Sequence, residues 1–298
     1  MRVEIGLQNN ERQALPMSIW KEDGDYIYVS GHRGWFDKCP ENTLESFQAA
    51  LDLGVDQIET DIRVTKDGEL VLFHDASLER TTNGTGLLIE KTLAELKELD
   101  AGSHKGEQFA GCRIPTLREF FDLVKDYPQV TLDLEFKEYP TEGREELAYN
   151  VCDKILQMVE EYGYRDRIFI NTFSGKLHEY VKATYKDTYR QHVYFPIKNL
   201  GTVTEDPYAY AYCSGMFGDY AKWEAYVPED GKEKEPYLDL ATTEECKEML
   251  ARGVKCWSGP HVRNERVIDM AIEAGVTLIC CNNPDEVLEI LRKKGMHK

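Results

Sequence analysis

The chain has 298 residues, enough for one large domain or two small ones with a substantial core. Asp and Glu number 54 against 36 Lys and Arg, a formal net charge of −18. That balance argues against nonspecific binding to DNA, RNA or an anionic membrane surface, but it leaves room for a local basic pocket and a small anionic substrate. The eight cysteines are too sparse for a disulfide scaffold, and no Cys-x-x-Cys pair points to structural zinc. Residues 1–20 are mixed and polar, without an apolar run of signal-peptide length. No stretch approaches the roughly 20 apolar residues of a membrane span. The expectation is a soluble, cytoplasmic protein with no stable membrane insertion.

Residues 1–26 read as a preamble, with a small hairpin around Glu22-Asp23-Gly24. A short strand, Tyr26–Val29, leads into Gly31-His32-Arg33-Gly34. Asn42 and Glu45 have capping-box spacing and open a helix that runs to Leu53 and ends at Gly54. From Gln57 to Asp75 two strand-like runs flank Thr65-Lys66-Asp67-Gly68, a hairpin signal. In the first run Glu59 and Asp61 share a strand face, because side chains alternate with a period of two. A tight turn sets His74 opposite Glu59 or Asp61, and a bulge at the glycine would shift that register. Residues 76–115 form a long connection with a short helix at 93–99. A connection of this length in a compact domain is more often functional than idle.

From Thr116 the pattern becomes regular. Helices are expected at 116–126, 143–162, 174–185, 242–251, 263–273 and 284–293. Strands are expected at 130–136, 167–172, 192–196, 254–257 and 276–281, with a weaker one near Met216–Phe217. Alternating strands and helices imply a parallel sheet, and eight strand units imply a closed α/β barrel of the TIM (β/α)8 type. The barrel carries a hairpin extension after strand two and an irregular connection at 200–240. The whole of 1–298 is read as a single domain.

The strand Leu132–Lys137 repeats the logic of the first hairpin strand, with Asp133, Glu135 and Lys137 on one face. Charges on two strands of a barrel, both near strand C-termini, point to a site. Glu59, Asp61 and Glu135 form an all-oxygen set suited to a hard divalent cation, Mg²⁺ or Ca²⁺. His32 and His74 at strand ends fit an acid–base pair. Arg33 can grip a phosphate through its fork, and Lys137 adds a second positive charge, which together favour an oxyanion substrate such as a phosphodiester.

These segments, with Pro40-Glu41-Asn42-Thr43, His74-Asp75, Arg80-Thr81-Thr82-Asn83-Gly84, Ile114-Pro115-Thr116-Leu117 and Glu135-Phe136-Lys137, occur in the order found in the glycerophosphodiester phosphodiesterase family, which the chain resembles. The resemblance is dense from 30 to 137 and collinear beyond. It implies a TIM barrel, a divalent cation held by Glu59, Asp61 and Glu135, catalytic His32 and His74, and phosphate contacts from Arg33 and Lys137. The implied reaction is hydrolysis of a small glycerophosphodiester to sn-glycerol 3-phosphate and an alcohol. The alternatives are a lysophospholipase D or sphingomyelinase D-like enzyme and a noncatalytic phosphodiester-binding barrel. The chain departs from the family pattern at Trp257-Ser258-Gly259-Pro260 and at Cys281-Asn282-Asn283-Pro284, changes expected to affect substrate range more than chemistry. Trp257 either packs against the glycerol or head group or is a core aromatic at a strand end.

Overall fold

The computed structural model describes residues 26–216, 244–259 and 265–298. Nine strands lie among them: β1 (Tyr28–His32), β2 (Gln57–Val64), β3 (Leu70–Leu72), β4 (Thr131–Phe136), β5 (Ile168–Asn171), β6 (Arg190–Phe195), β7 (Ala211–Met216), β8 (Lys255–Ser258) and β9 (Val276–Cys281). The helices are α1 (Leu44–Leu53), α2 (Leu93–Lys97), α3 (Leu117–Val124), α4 (Glu145–Glu161), α5 (Gly175–Tyr185), α6 (Glu244–Ala251), α7 (Glu265–Glu273) and α8 (Pro284–Lys293). Every barrel strand runs parallel to its neighbours, and β1 pairs with both β9 and β2, which closes an eight-stranded barrel. β3 alone runs antiparallel, as an appendix to β2. No helix among the described residues is long and apolar enough to cross a membrane.

The period-two pattern of the strands sorts two apolar regions. Ile58, Ile62, Leu132, Leu134 and Phe136 join the core beneath the helices, where α1 supplies Phe47 and α3 supplies Phe120 and Phe121. Inside the barrel, Phe169, Cys213, Trp257 and Leu278 form a separate apolar plug. Further along the strands stand the inward carboxylates of β2 and β4. Register across β2 and β4 pairs Glu59 with Asp133 and Asp61 with Glu135, so these carboxylates are neighbours by the hydrogen-bond ladder itself.

The hairpin after β2 differs in register from the tight turn expected. Gly68, at φ 84°, donates its N–H to the Thr65 carbonyl, and Thr65 donates to Glu69. The loop therefore holds Lys66–Gly68, with the glycine in the left-handed position of a bulge. Ile62 faces Leu72, which puts His74 in line with Thr60 rather than with Glu59 or Asp61. β3 also ends at Leu72, so His74 leaves the sheet before it reaches the mouth.

Two other expectations change. Thr43, not Asn42, caps α1: its side chain accepts from Ser46 N, while Asn42 sits at φ 56°. The seventh barrel strand begins at Ala211, well before Met216–Phe217, and Phe217 lies outside the described residues. Its sequence lacks strong alternation because its inward residues must be small. A Cβ on Gly215 would meet His192 Nε2 at 2.6 Å and the Tyr194 ring at 2.9 Å. The expected Glu22-Asp23-Gly24 hairpin also lies outside the described residues.

The connection 76–115 is ordered by a small core of its own, in which Leu78, Leu88, Leu96, Ala101 and Ile114 pack on Val71 and Phe73 of the hairpin. In the main core Phe120 is fully buried, its ring 4.6 Å from that of Phe47. Phe120→Ala is expected to cost roughly 3–5 kcal/mol of stability, read as a lower urea midpoint with an unchanged slope.

Candidate active site

The carboxylates of Glu59, Asp61 and Glu135 converge. Each offers a ligand atom within 4.8 Å of the others, and all three residues are buried. Lys137 Nζ lies 2.5 Å from Glu135 Oε1 and 3.0 Å from Asp61 Oδ1. Arg33 Nε lies 3.0 Å from Asp61 Oδ2, and the Arg33 backbone N–H donates to Glu59 Oε2 at 3.0 Å. Asn42, whose left-handed backbone turns its amide inward, donates to Asp61 Oδ2 at 2.8 Å and accepts from Thr60 Oγ1 at 2.8 Å.

This crowding splits the carboxylates. Burial and the neighbouring Asp61 push Glu59 well above the usual carboxylate range. Burial also raises Glu135, partly offset by Lys137. For Asp61 burial acts in the same direction, but Lys137, Arg33, His74 and the Asn42 amide outweigh it and hold the group far below its ordinary value. Lys137 is raised in turn, because its two carboxylate partners outweigh desolvation.

The two histidines flank this cluster. His32 at the end of β1 has Nε2 3.8 Å from Glu59 Oε2 and Nδ1 2.6 Å from Asn282 Oδ1. His74 Nδ1 lies 2.5 Å from Asp75 Oδ1, and burial lowers the His74 pKa. Arg63 donates from Nε and Nη2 to the His74 carbonyl at 2.9 and 2.7 Å, which fixes the backbone there. His74 thus reaches the site from the hairpin's return segment beyond β3, without strand pairing.

Trp257 is not part of this cluster. It is 1% exposed and packs edge-on against Phe169, with its ring 4.7 Å from His192. Of the two readings open in the sequence, its position is that of a core aromatic in the barrel plug.

Sequence reasoning missed several residues. Asn42 had passed for a helix cap. Asn282 had passed for a change at the rim, yet it orients His32. Asp133, on the charged face of β4, turns to His192 Nδ1 at 2.8 Å and not to the carboxylate triad. The order of the segments identified them, but nothing in their local spacing announced these contacts.

A profile of the glycerophosphoryl diester phosphodiesterase family matches residues 32–286. The chain belongs to this family. It is a phosphoric diester hydrolase. A glycerophosphodiester phosphodiesterase of Caldanaerobacter subterraneus is 34% identical over 271 residues, spanning 90% of this chain and 98% of that one. A human glycerophosphodiester phosphodiesterase is 41% identical over 171 residues, about half of each chain. Among solved structures, a phosphodiesterase of Oleispira antarctica in complex with sn-glycerol 3-phosphate shares the fold, with a TM-score of 0.70, 24% identity, and coverage of 90% of this chain and 97% of that one.

The residues of this phosphodiesterase suit a hard divalent cation. The donor set is all oxygen, and its three buried carboxylates each turn a ligand atom to within 4.8 Å of the others. Asn282→Ala would remove the contact on His32 Nδ1. We expect kcat to fall roughly tenfold or more, the scale seen when a positioned imidazole loses such a contact, with little change in thermal midpoint. Steady-state kinetics beside thermal unfolding check this.

Proposed function

We propose that the protein hydrolyses small glycerophosphodiesters to sn-glycerol 3-phosphate and an alcohol, with a divalent cation, Mg²⁺ or Ca²⁺, held by Glu59, Asp61 and Glu135. The observation that carries this reading is the convergence of the three carboxylates beside Arg33, Lys137 and two histidines. The cation, when bound, supplies charge neutralisation and Lewis-acid polarisation of the phosphate oxygens.

The chain's own residues do the rest. Arg33 and Lys137 offer donors to the phosphate oxygens and offset negative charge as it builds in the transition state. One histidine removes the proton from the attacking hydroxyl as it bonds to phosphorus, either water or the glycerol 2-OH, in which case water then opens the resulting cyclic phosphate to sn-glycerol 3-phosphate. The other delivers a proton to the oxygen of the departing alcohol as its bond to phosphorus breaks. The contacts on Nδ1, His32 with Asn282 and His74 with Asp75, orient the two rings for this transfer.

The described rim supports a polar head group over an acyl chain. Beside the site stand the charged residues Glu41, Arg80 and Lys105.

His32→Ala and His74→Ala should each lower kcat on glycerophosphocholine by about 10²–10⁴-fold, with the fold retained. If either variant kept more than about a tenth of wild-type kcat, that histidine would not be an essential acid or base. Excess Mg²⁺ or Ca²⁺ should raise the thermal midpoint by about 5 °C once the ion exceeds its Kd roughly 100-fold. Glu135→Gln should shrink that rise while leaving the protein in EDTA no less stable, because one repelling charge is gone. A wild type with no metal-dependent shift and full activity in EDTA would overturn the cation assignment.

A further inference from the structure

Two segments of the family pattern, Pro40–Thr43 and Arg80–Gly84, contribute residues with no part in the chemistry above, and the geometry joins them. Arg80 donates from Nη1 and Nη2 to Glu41 Oε2 and Oε1, at 2.5 and 2.8 Å. The same guanidinium donates from Nε and Nη2 to Asp75 Oδ2 and Oδ1, at 2.6 and 3.0 Å. Each of these carboxylates has a second partner in the site. Glu41 Oε1 accepts from Arg33 Nη1 at 2.8 Å, and Asp75 Oδ1 meets His74 Nδ1 at 2.5 Å. A continuous path therefore runs from His74 through Asp75, Arg80 and Glu41 to Arg33.

We propose that Arg80 is a positioning residue for the hydrolysis: by clamping Glu41 and Asp75 together, it sets the ring of His74 against the phosphate held by Arg33. The proposal rests on the reading of His74 as an acid–base group and Arg33 as a phosphate ligand.

Three observations carry it. The His74 backbone is already fixed by Arg63, so the ring's direction depends on where Asp75 stands. Asp75 has no other side-chain anchor than Arg80 and His74 among the contacts described. Arg80 is itself held from behind. It lies on a turn where Thr82 Oγ1 donates to the Leu78 carbonyl at 2.7 Å, and Leu78 is sunk in the small core of the 76–115 connection. The clamp therefore joins the β1–α1 loop to the hairpin through a third, independently packed segment.

The electrostatics agree. Burial would raise Asp75, but the Arg80 and His74 hydrogen bonds outweigh it and hold the carboxyl at about 2. Asp75 thus stays ionised at working pH and keeps the proton of His74 on Nδ1, with Nε2 turned to the substrate. Two forks from one planar group need guanidinium geometry, which a lysine ammonium cannot reproduce. The Arg80 side chain is 46% exposed, and its buried partner Glu41 keeps a second cation in Arg33 when Arg80 is replaced. Kinetics measured beside thermal unfolding separate its catalytic effect from any effect on folding.

The test is steady-state kinetics on glycerophosphocholine with saturating Mg²⁺ or Ca²⁺, beside thermal unfolding, for Arg80→Lys, Arg80→Met, Asp75→Asn, His74→Ala and Arg80→Lys/Asp75→Asn. In Arg80→Lys, kcat should fall roughly tenfold or more, with a smaller factor on KM and a nearly unchanged midpoint. In the Asp75→Asn background the same substitution should cost much less, because its route to His74 is already cut. Arg80→Lys within about twofold of wild-type kcat would overturn the clamp, as would equal losses in both backgrounds. If Arg80→Met does not fold, Arg80→Lys decides by the same criteria. An active His74→Ala would instead overturn the acid–base reading, whereas an inactive His74→Ala beside a fully active Arg80→Lys would overturn the clamp alone.

Discussion

Three carboxylates share a space in which their ligand atoms lie within 4.8 Å of one another, away from bulk water. That is the constraint on which the rest of the site depends. Like charges so placed repel strongly, and taking each out of water adds its own penalty. The molecule answers with Lys137 and Arg33 on Asp61, with the Asn42 amide, and with an upward shift of Glu59 and Glu135. Each of these devices stabilises the cluster at one position. The asymmetry that results, Asp61 held below its ordinary range while Glu59 and Glu135 are pushed above theirs, follows from where the two cations sit.

Such a cluster needs a rigid frame, and the barrel supplies it through the ladder. Asp61 and Glu135 are register partners on adjacent parallel strands, and Glu59 precedes Asp61 on the same face. Their separation is therefore set by the strand spacing and not by loop conformation. Below the cluster the barrel turns apolar at Phe169, Cys213, Trp257 and Leu278. Between the two layers lies a polar level in which Asp133 meets His192 and Asn171. The loops above the strands contribute what the strands cannot, namely Arg33, Asn42 and His74, which approach from the side.

The strands, their order and the carboxylate triad were legible in the sequence because each rests on a local rule. Alternation in Ile58–Ile62 and Leu132–Lys137 assigns faces, and the regular strand–helix succession after Thr116 assigns the barrel. What was not legible depended on contacts between distant segments. Asn42 sits at helix-cap spacing, yet Thr43 takes the cap and frees Asn42 for Asp61. Asn282 lies 250 residues from His32, and no local pattern links them. The hairpin register turned on whether Gly68 opened a two- or three-residue loop, a choice of one residue that reassigns His74. β7 was faint because His192, Tyr194 and Trp257 fill the interior and leave room there only for small residues.

The small core beneath the 76–115 connection has a consequence for how this protein can diversify. Leu78, Leu88, Leu96, Ala101 and Ile114 bury one another on Val71 and Phe73, largely apart from the barrel's main core. The hairpin strand, an isolated bridge of Val71 with Thr116, and backbone bonds from Leu72 to Pro115 and from Lys66 to Lys91 tie the segment to the sheet. The rim of the mouth is thus a module with its own packing. Substitutions within it can reshape the rim while the ladder that spaces the carboxylates stays as it is. The rim and the carboxylate ladder thus rest on different cores, and Arg80, bonded to Glu41 and Asp75, is where the two are joined.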